Sequence, residues 1–407
     1  MIHVCLSLYD KTGRYSKFTG TTMLSLFENT TSDVTVHILH DNTLTDDNRD
    51  KFIYLAGRYG QAVKFYNVKE LCAERLDEFI KFFPVVKSAH VSVGTMYRLL
   101  LPEIISPEIE KLIYLDSDLI VNLDIKELWQ IELGDKIFAA VPEILTFKTP
   151  DAMKKGFSLC ADDIVKCEDY FNAGVLAMNL NYLRGEYDTL LDGLKFSAQN
   201  PKYQGYLDQD ILNYCFSTRA LKLPNKFNRF TYYARRDGEL ASVGKIYHYA
   251  GGNFGYGVGL DLNDSFNQLW MNYFVKTPWF NVDSIGRLYE GFLNIRGELE
   301  KSTLKLSSMV SGKTRAFVVA ENKLNVLVEN FSVRNDEDVF AIESTLPLQK
   351  LINVMNASRG KKIFFILLPG FEFDRLTAAG FAKDKDFVDG FEFFSEKFNS
   401  YSLVKAM

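Results

Sequence analysis

KLIYLDSDLIV, residues 111–121, decides how this chain is read. An apolar run ends at two carboxylates one residue apart, Asp116 and Asp118, and an apolar run then resumes. Residues 111–115 read as a buried β-strand. An unpaired carboxylate at the end of such a strand is costly, so the pair calls for a cationic partner. Side chains at i and i+2 of an extended segment point to the same side, which lets both acids face one ion. Open α/β sheets bind ligands at that place, outside the carboxyl ends of their strands. Hard oxygen ligands favour Mg2+ or Mn2+ over zinc. Taken alone, however, Asp-x-Asp is short and common, and it reads at least as readily as two solvated turn carboxylates.

The surrounding sequence supplies the sheet. IHVCLSL, VTVHILH, AVKFYNV, KLIYLD and IFAAVPE read as strands rich in β-branched and aromatic residues. Between them, TTMLSLFEN and DDNRDKFIYLAGRYG carry apolar residues at helical spacing, the second after a Thr-Asp start. Alternating strands and helices imply an α/β layered domain with a mainly parallel sheet. Residues 146–280 are less regular and rich in Gly, Asn and aromatics, as loops that shape a site often are. Residues 281–311 take a helical pattern that ends at SGK and read as a connecting helix. The remainder, 312–407, restarts the α/β rhythm with RAFVVA, DVFAIES and KKIFFILL as strands, and NKLNVLVEN and LQKLINVMNAS as helices. It reads as a small doubly wound, Rossmann-like domain. The turn after its first strand, VAENKLN, lacks the glycines that bring backbone to a pyrophosphate.

Composition narrows the function. At 407 residues the chain can hold two or three domains, and its 47% apolar content with mixed charge describes a soluble globular protein. A net charge of −5 argues against a nucleic-acid partner, which demands a basic face. The five cysteines show no CxxC or zinc spacing and suit a reducing cytosol. The opening MIHVCLSLY has no basic n-region or long apolar h-region, and no apolar run reaches the roughly 20 residues of a membrane span. A cytoplasmic location without a transmembrane helix is the expectation.

LIYLDSDLIV resembles the metal-binding DxD segment of family 8 glycosyltransferases, retaining enzymes of the GT-A fold that use nucleotide sugars. Further stretches match in the family's order: HVSVGTMYRLLLPEII before the DxD strand, LDIKELWQIEL after it, then DYFNAGVLAMNL, YLDQDILNYCF, LPNKFNRF and IYHYAGG. The ordered matches cover residues 1 to about 256, and the resemblance extends to lipopolysaccharide galactosyltransferases and glycogenin. It implies a GT-A catalytic domain over 1–280; the unit at 312–407, read from its own pattern, is expected to be an accessory domain that could serve as a surface for homo-oligomers.

The resemblance also implies roles. Asp116, Asp118 and His248 are the metal ligands, with Mn2+ or Mg2+ as cofactor. Arg98, Asp116, Ser117 and Gly251 approach the nucleotide sugar, and Ser7 and Asp10 the base. Asn172, Ala173 and Gly174 line the sugar pocket. Asp208 and Gln209 grip the sugar beside the reacting carbon, Asp210 following them with less clear purpose, and Glu143 is an acceptor-side carboxylate. Each has a plain alternative: His248 as a structural histidine between tyrosines, Arg98 as a surface ion pair, FNAGV as a tight turn, and Asp208–Asp210 as helix capping. One departure stands out. The family's H-Y-x-G-x-x-K-P-W would place a diphosphate lysine where this chain has Phe254, and Lys245, Arg235 and Arg236 are the nearby bases that could substitute.

The implied reaction moves a hexose, glucose or galactose, from a UDP-sugar to a carbohydrate-containing acceptor. The competing readings are a non-catalytic sugar-nucleotide-binding or assembly protein, a haloacid-dehalogenase-type phosphatase, and a sugar nucleotidyltransferase. The phosphatase needs a later lysine and acidic pair that the sequence does not supply. The nucleotidyltransferase needs a Gly-rich basic loop near the N-terminus, also absent.

Overall fold

The computed structural model describes residues 1–82, 93–250, 263–281, 309–321, 337–342 and 348–390, apart from positions 14, 148 and 369, together with positions 286 and 324. The chain divides into two compact units, Met1–Ser284 and Ile285–Met407. Most of 281–311, the expected connecting helix, and NKLNVLVEN, apart from position 324, lie outside the described residues.

Among the described residues the first unit has ten strands: β1 (Ile2–Leu8), β2 (Val34–His40), β3 (Ala62–Asn67), β4 (Lys111–Leu115), β5 (Leu119–Asn122), β6 (Phe138–Pro142), β7 (Phe171–Asn179), β8 (Ala220–Lys222), β9 (Arg229–Phe230) and β10 (Lys245–His248). Seven form one sheet in the order β3-β2-β1-β4-β7-β6-β8, and three form a second, β5-β10-β9. The first four strands of the large sheet run parallel, as the alternation of strands and helices predicts. β7 then lies antiparallel to both β4 and β6, so the sheet is mixed. This central strand falls inside the stretch whose sequence reads as irregular. Nearly all of its positions are buried, which removes the two-residue alternation, and its Asn, Gly and Ala are poor strand formers.

Both faces of the large sheet are covered. Along β1, Val4, Leu6 and Leu8 point into one core with Met23, Leu24 and Phe27 of the helix α1 (Ser16–Asn29), while Cys5 points into another with Leu76, Phe79 and Leu112. The two-residue period of a strand produces this split. Helix α2 (Asp46–Arg58) begins where the sequence signals it, with Thr45 accepting from the Asn48 backbone N–H. All five cysteines are unpaired. Among the described residues no helix is long and apolar enough to cross a membrane.

The quoted stretch turns out to be a crossing. The chain leaves the large sheet at the end of β4 and enters the small one at β5, with Asp116, Ser117 and Asp118 between. Polar residues on one face of α1, three or four apart, fasten this crossing. The Thr22 hydroxyl lies 2.9 Å from the Ser117 carbonyl and 2.7 Å from that of Leu119. Ser25 Oγ accepts from the Val121 N–H at 2.9 Å, and Asn29 Nδ2 donates to the Val121 carbonyl at 3.0 Å. Buried backbone groups that no neighbouring strand satisfies are thus met by side chains.

The second unit holds β11 (Thr314–Ala320), β12 (Asp338–Ile342), β13 (Lys362–Leu367) and β14 (Phe387–Asp389), all parallel in the order β12-β11-β13-β14. Ala316, Val318, Phe364 and Ile366 pack on Leu351 and Met355 of the helix Leu348–Ala357. β14 is a strand that the sequence reading does not contain.

Thr22→Val tests the fastening of the crossing. Losing the hydroxyl removes the one hydrogen that the two carbonyls share, and urea denaturation is expected to show a loss of about 1–3 kcal/mol. An unchanged midpoint would mean that α1 does not hold the crossing.

Candidate active site

Backbone pairing brings the two halves of the site together. His248, the last residue of β10, sits opposite Leu119, the first of β5, and the Tyr249 N–H donates to the Asp118 carbonyl at 2.9 Å. On the other side, Asp116 donates its N–H to the Gly174 carbonyl of β7 at 2.8 Å. Three ligand atoms, one each from Asp116, Asp118 and His248, therefore lie within 4.8 Å of one another. His248 Nε2 is 3.2 Å from Asp118 Oδ1 and 4.0 Å from Asp116 Oδ2. Ligand atoms about 2.1 Å from an octahedral ion stand roughly 3 to 4.2 Å apart, a range that includes both His248 distances, and two carboxylates with one imidazole nitrogen suit Mg2+ or Mn2+.

Gly174 makes room for the cluster. A Cβ on it would stand 2.6 Å from His248 Cε1 and 2.9 Å from Asp116 Oδ2. The FNAGV segment is thus extended strand rather than a tight turn, and its glycine is required by crowding.

The cluster opens onto a cavity of about 690 Å3. Of the residues singled out from sequence, Arg98, Asp116, Asp118, Glu143, Asn172, Ala173, Gly174, Asp208, Gln209 and His248 line it. Ser7, Asp10 and Ser117 do not, and Gly251 and Phe254 lie outside the described residues. Asp10 is 2% exposed, and its carboxylate accepts from the Tyr15 N–H at 2.7 Å, the Ser16 N–H at 3.0 Å and Asn48 Nδ2 at 3.3 Å, besides the Ser16 hydroxyl. It ties down the start of α1, which corrects the expectation of an oxygen presented to a base. Ser117 donates its hydroxyl to the Ser7 carbonyl at 3.1 Å, joining the crossing to β1.

Arg98 is no surface ion pair. It is 5% exposed, with Nη2 2.6 Å from Asp116, Nε 2.9 Å from Asp208, Nη1 2.5 Å from the Ala173 carbonyl and the guanidinium 4.3 Å above the Tyr114 ring. Burial alone would lower its pKa, but the two carboxylates outweigh that and hold it firmly cationic. Lys245, Arg235 and Arg236, offered above as substitutes for the missing lysine, do not line the cavity. They pair with Glu239 at 2.8 Å, Asp264 at 2.7 Å and Asp237 at 3.2 Å. Lys245 lies three positions before His248 on β10, an odd spacing that sends its side chain to the opposite face.

The electrostatics follow from burial. Burial pushes Asp208 up to about 6, which Arg98 only partly offsets. Burial also raises Glu143, which is 5% exposed and opens into the cavity. His248 loses by burial but gains more from Asp118 and Asp116, so it titrates above its ordinary value, and Asp118 below its own. Gln209 is 8% exposed, and its Oε1 accepts from Asn172 Nδ2 and the Ala173 N–H, both at 3.0 Å. Asp210 accepts from the Tyr170 hydroxyl and the Tyr206 N–H, both at 2.7 Å. Ahead of them Leu207 has φ +43°, a strained value for a branched residue, and the turn it makes aims Asp208 and Gln209 inward.

Sequence reading overlooked two features. Asn228, wholly buried, stands with its Oδ1 2.9 Å from His248 Nδ1. It lies in LPNKFNRF, where only its polarity beside aromatics marks it. An aromatic wall of Phe147, Phe157, Tyr206, Phe230 and Tyr233 runs from the helix Asp208–Phe216 to His248, with Phe157 stacked on Tyr206 at 4.6 Å and Phe230 against His248 at 4.6 Å.

A mixed sheet with an Asp-Ser-Asp crossing that faces such a cavity is the GT-A nucleotide-sugar transferase fold, and the solved structures agree. A galactosyltransferase, LgtC, solved with donor and acceptor sugar analogues, superposes at TM-score 0.52 and 21% identity over 70% of this chain and 100% of its own. The bifunctional glycosyltransferase WbbM does so at 0.53 and 20%, over 70% of this chain and 51% of its own. The model of glycosyl transferase family 8 matches residues 7–253, and the chain belongs to that family. A putative glycosyltransferase of Haemophilus influenzae is 28% identical over 214 residues, 53% of this chain and 60% of the relative. A lipopolysaccharide 1,2-glucosyltransferase of Escherichia coli is 30% identical over 206 residues, 50% of this chain and 56% of the relative. The chain thus spans little more than half of these relatives, and its second unit lies beyond the family match.

Two outcomes test this geometry. Gly174→Ala is expected to weaken Mn2+ binding at least about 10-fold by calorimetry, because His248 or Asp116 must move; equal affinity would refute the crowding. In metal-free protein Asp208 holds its proton to a higher pH when folded than when unfolded. Its contribution to stability is therefore fully present below about pH 4 and declines as pH rises to about 6, by roughly 3 kcal/mol at most. Asp208→Asn is expected to flatten that decline in urea titrations, and an unchanged slope would place the raised group elsewhere.

Proposed function

We propose that the protein is a metal-dependent, retaining hexosyltransferase that moves glucose or galactose from a UDP-sugar to a hydroxyl of a glycan, glycolipid or glycoprotein. The observation that carries this reading is the Asp116, Asp118 and His248 cluster at one end of a cavity whose other walls present Asn172, Asp208 and Gln209. Membership of glycosyl transferase family 8 supports sugar transfer. The names of the relatives, a lipopolysaccharide 1,2-glucosyltransferase and a lipopolysaccharide 1,3-galactosyltransferase, support a hexose donor and a surface-glycan acceptor.

Asp116, Asp118 and His248 would hold a divalent ion, which supplies neutralisation of the charge that gathers on a departing diphosphate. The chain's own groups do the rest. Arg98 is the sole lysine or arginine lining the cavity among the described residues. By holding Asp116 and Asp208 it fixes one metal ligand and one sugar contact to the same cation. Asn172 and Asp208 bind sugar hydroxyls, and the aromatic wall with Glu143 receives the acceptor and excludes water.

The carbon–oxygen bond to the phosphate breaks as the acceptor oxygen bonds to the same anomeric carbon. Gln209 Oε1 already accepts two hydrogen bonds, and Asp210 is 4% exposed and held by Tyr170 and Tyr206. The Gln209 oxygen thus has no lone pair to spare behind the sugar, and Asp210 does not line the cavity. Attack on the face the phosphate leaves, with a phosphate oxygen taking the acceptor's proton, therefore agrees best with these contacts. The absence of any lysine lining the cavity among the described residues weighs against the phosphatase reading.

Incubation with Mn2+ and a panel of UDP-sugars is expected to consume one UDP-hexose, and Asp118→Ala to slow that about 100-fold or more. UDP-sugar binding without consumption across a broad acceptor panel would favour the assembly-protein reading. Hydrolysis of simple phosphate esters alone would overturn the transferase.

A further inference from the structure

Behind the cation seat runs one chain of hydrogen bonds. His248 Nδ1 meets Asn228 Oδ1 at 2.9 Å, Asn228 Nδ2 donates to Asn172 Oδ1 at 2.7 Å, and Asn172 Nδ2 donates to Gln209 Oε1 at 3.0 Å. Gln209 Nε2 continues to the Tyr170 hydroxyl at 3.3 Å, which donates to Asp210 at 2.7 Å. An amide side chain can be turned end for end, so the sense of each link must come from a group that cannot reverse. Two such groups are present. The Gly174 N–H points at one atom of the Asn172 amide at 2.9 Å, and the Ala173 N–H at one atom of the Gln209 amide at 3.0 Å. A backbone N–H only donates, so both atoms are oxygens.

The rest follows link by link. Because the Asn172 atom facing Asn228 is an oxygen, the Asn228 atom facing it is the NH2 group. The Asn228 atom facing His248 is then its carbonyl oxygen, and His248 Nδ1 must carry a hydrogen. That leaves Nε2, the nitrogen 3.2 Å from Asp118, as the one able to offer a lone pair to a cation. A free imidazole carries its proton on either nitrogen, whereas here two backbone N–H groups on β7 choose for it.

We propose that Asn228 is a positioning residue for the cation site: it keeps His248 in the Nδ1–H form with Nε2 aimed between Asp116 and Asp118. The assignment rests on the reading of those three side chains as metal ligands. It accounts for a buried asparagine, 0% exposed, that touches neither the cavity nor solvent. It also gives Asn172 a second task, since its oxygen sets the direction in which Asn228 points.

The test measures Mn2+ affinity directly, from the electron paramagnetic resonance signal of free Mn2+, in the wild type, Asn228→Ala, Asn228→Asp and Asp118→Ala. Asn228→Ala is expected to weaken binding by about 10- to 100-fold. Asn228→Asp keeps an oxygen that accepts from Nδ1–H but sets its other oxygen against Asn172 Oδ1, so its affinity is expected to fall between those of the wild type and Asn228→Ala. An Asn228→Ala protein that binds Mn2+ as the wild type does would overturn the assignment. Asp118→Ala separates the two levels. If it binds Mn2+ normally, the metal reading itself has failed. Should Asn228→Ala not fold, nitrogen-15 spectra of the wild type above the titration of His248, assigned through His248→Ala, decide the matter. The Nδ1–H form is expected there, and the Nε2–H form would contradict it.

Discussion

Charge that has nowhere to go organises this protein. Asp116, Asp118, Asp208 and Glu143 converge on one end of the large sheet, and the single guanidinium of Arg98 joins Asp116 to Asp208 from below. Asp208 and Glu143 are buried and Asp116 and Asp118 half-buried, and acids crowded this way repel one another and lose hydration, which cationic neighbours offset. Arg98 answers for two of the acids. His248 answers for Asp118 in the metal-free protein, and both partners titrate away from their ordinary values as a result. A seat that is still negative after Arg98 has been counted suits the divalent cation proposed for it.

The fold exists to make that crowding possible. A strand that ended in solvent would let its carboxylates separate. Here the chain passes from β4 directly into a second sheet, so Asp116 and Asp118 are held by pairing on both sides: Gly174 of β7 behind the first and β10 behind the second. The absence of a side chain at Gly174 and the strained backbone at Leu207 are local costs of the same arrangement. Both occur where the catalytic contacts are proposed, and the Leu207 side chain anchors its turn in the core.

What could be read beforehand was whatever leaves a periodic or ordered trace. The strands β1 to β4 and β11 to β13 announce themselves by apolar runs, and Asp116, Asp118 and His248 by their order within a recognisable series of segments. β7 could not be read, because a strand covered on both faces loses its alternation and FNAGVLAMN has few β-branched residues. Asp10 misled because an acid after the first strand looks the same in sequence whether it contacts a base or ties down α1. Lys245 misled because closeness in sequence to His248 says nothing about which face of β10 a side chain takes. Asn228 left only its place in LPNKFNRF, since its importance lies in what it touches.

A crystal soaked with Mn2+ and UDP, with diffraction recorded at the manganese absorption edge, addresses the central claim most directly. The account predicts one anomalous peak bonded to the carboxylates of Asp116 and Asp118 and to Nε2 of His248, with diphosphate oxygens completing its shell. A peak bound elsewhere, or none beside these three side chains, would contradict it.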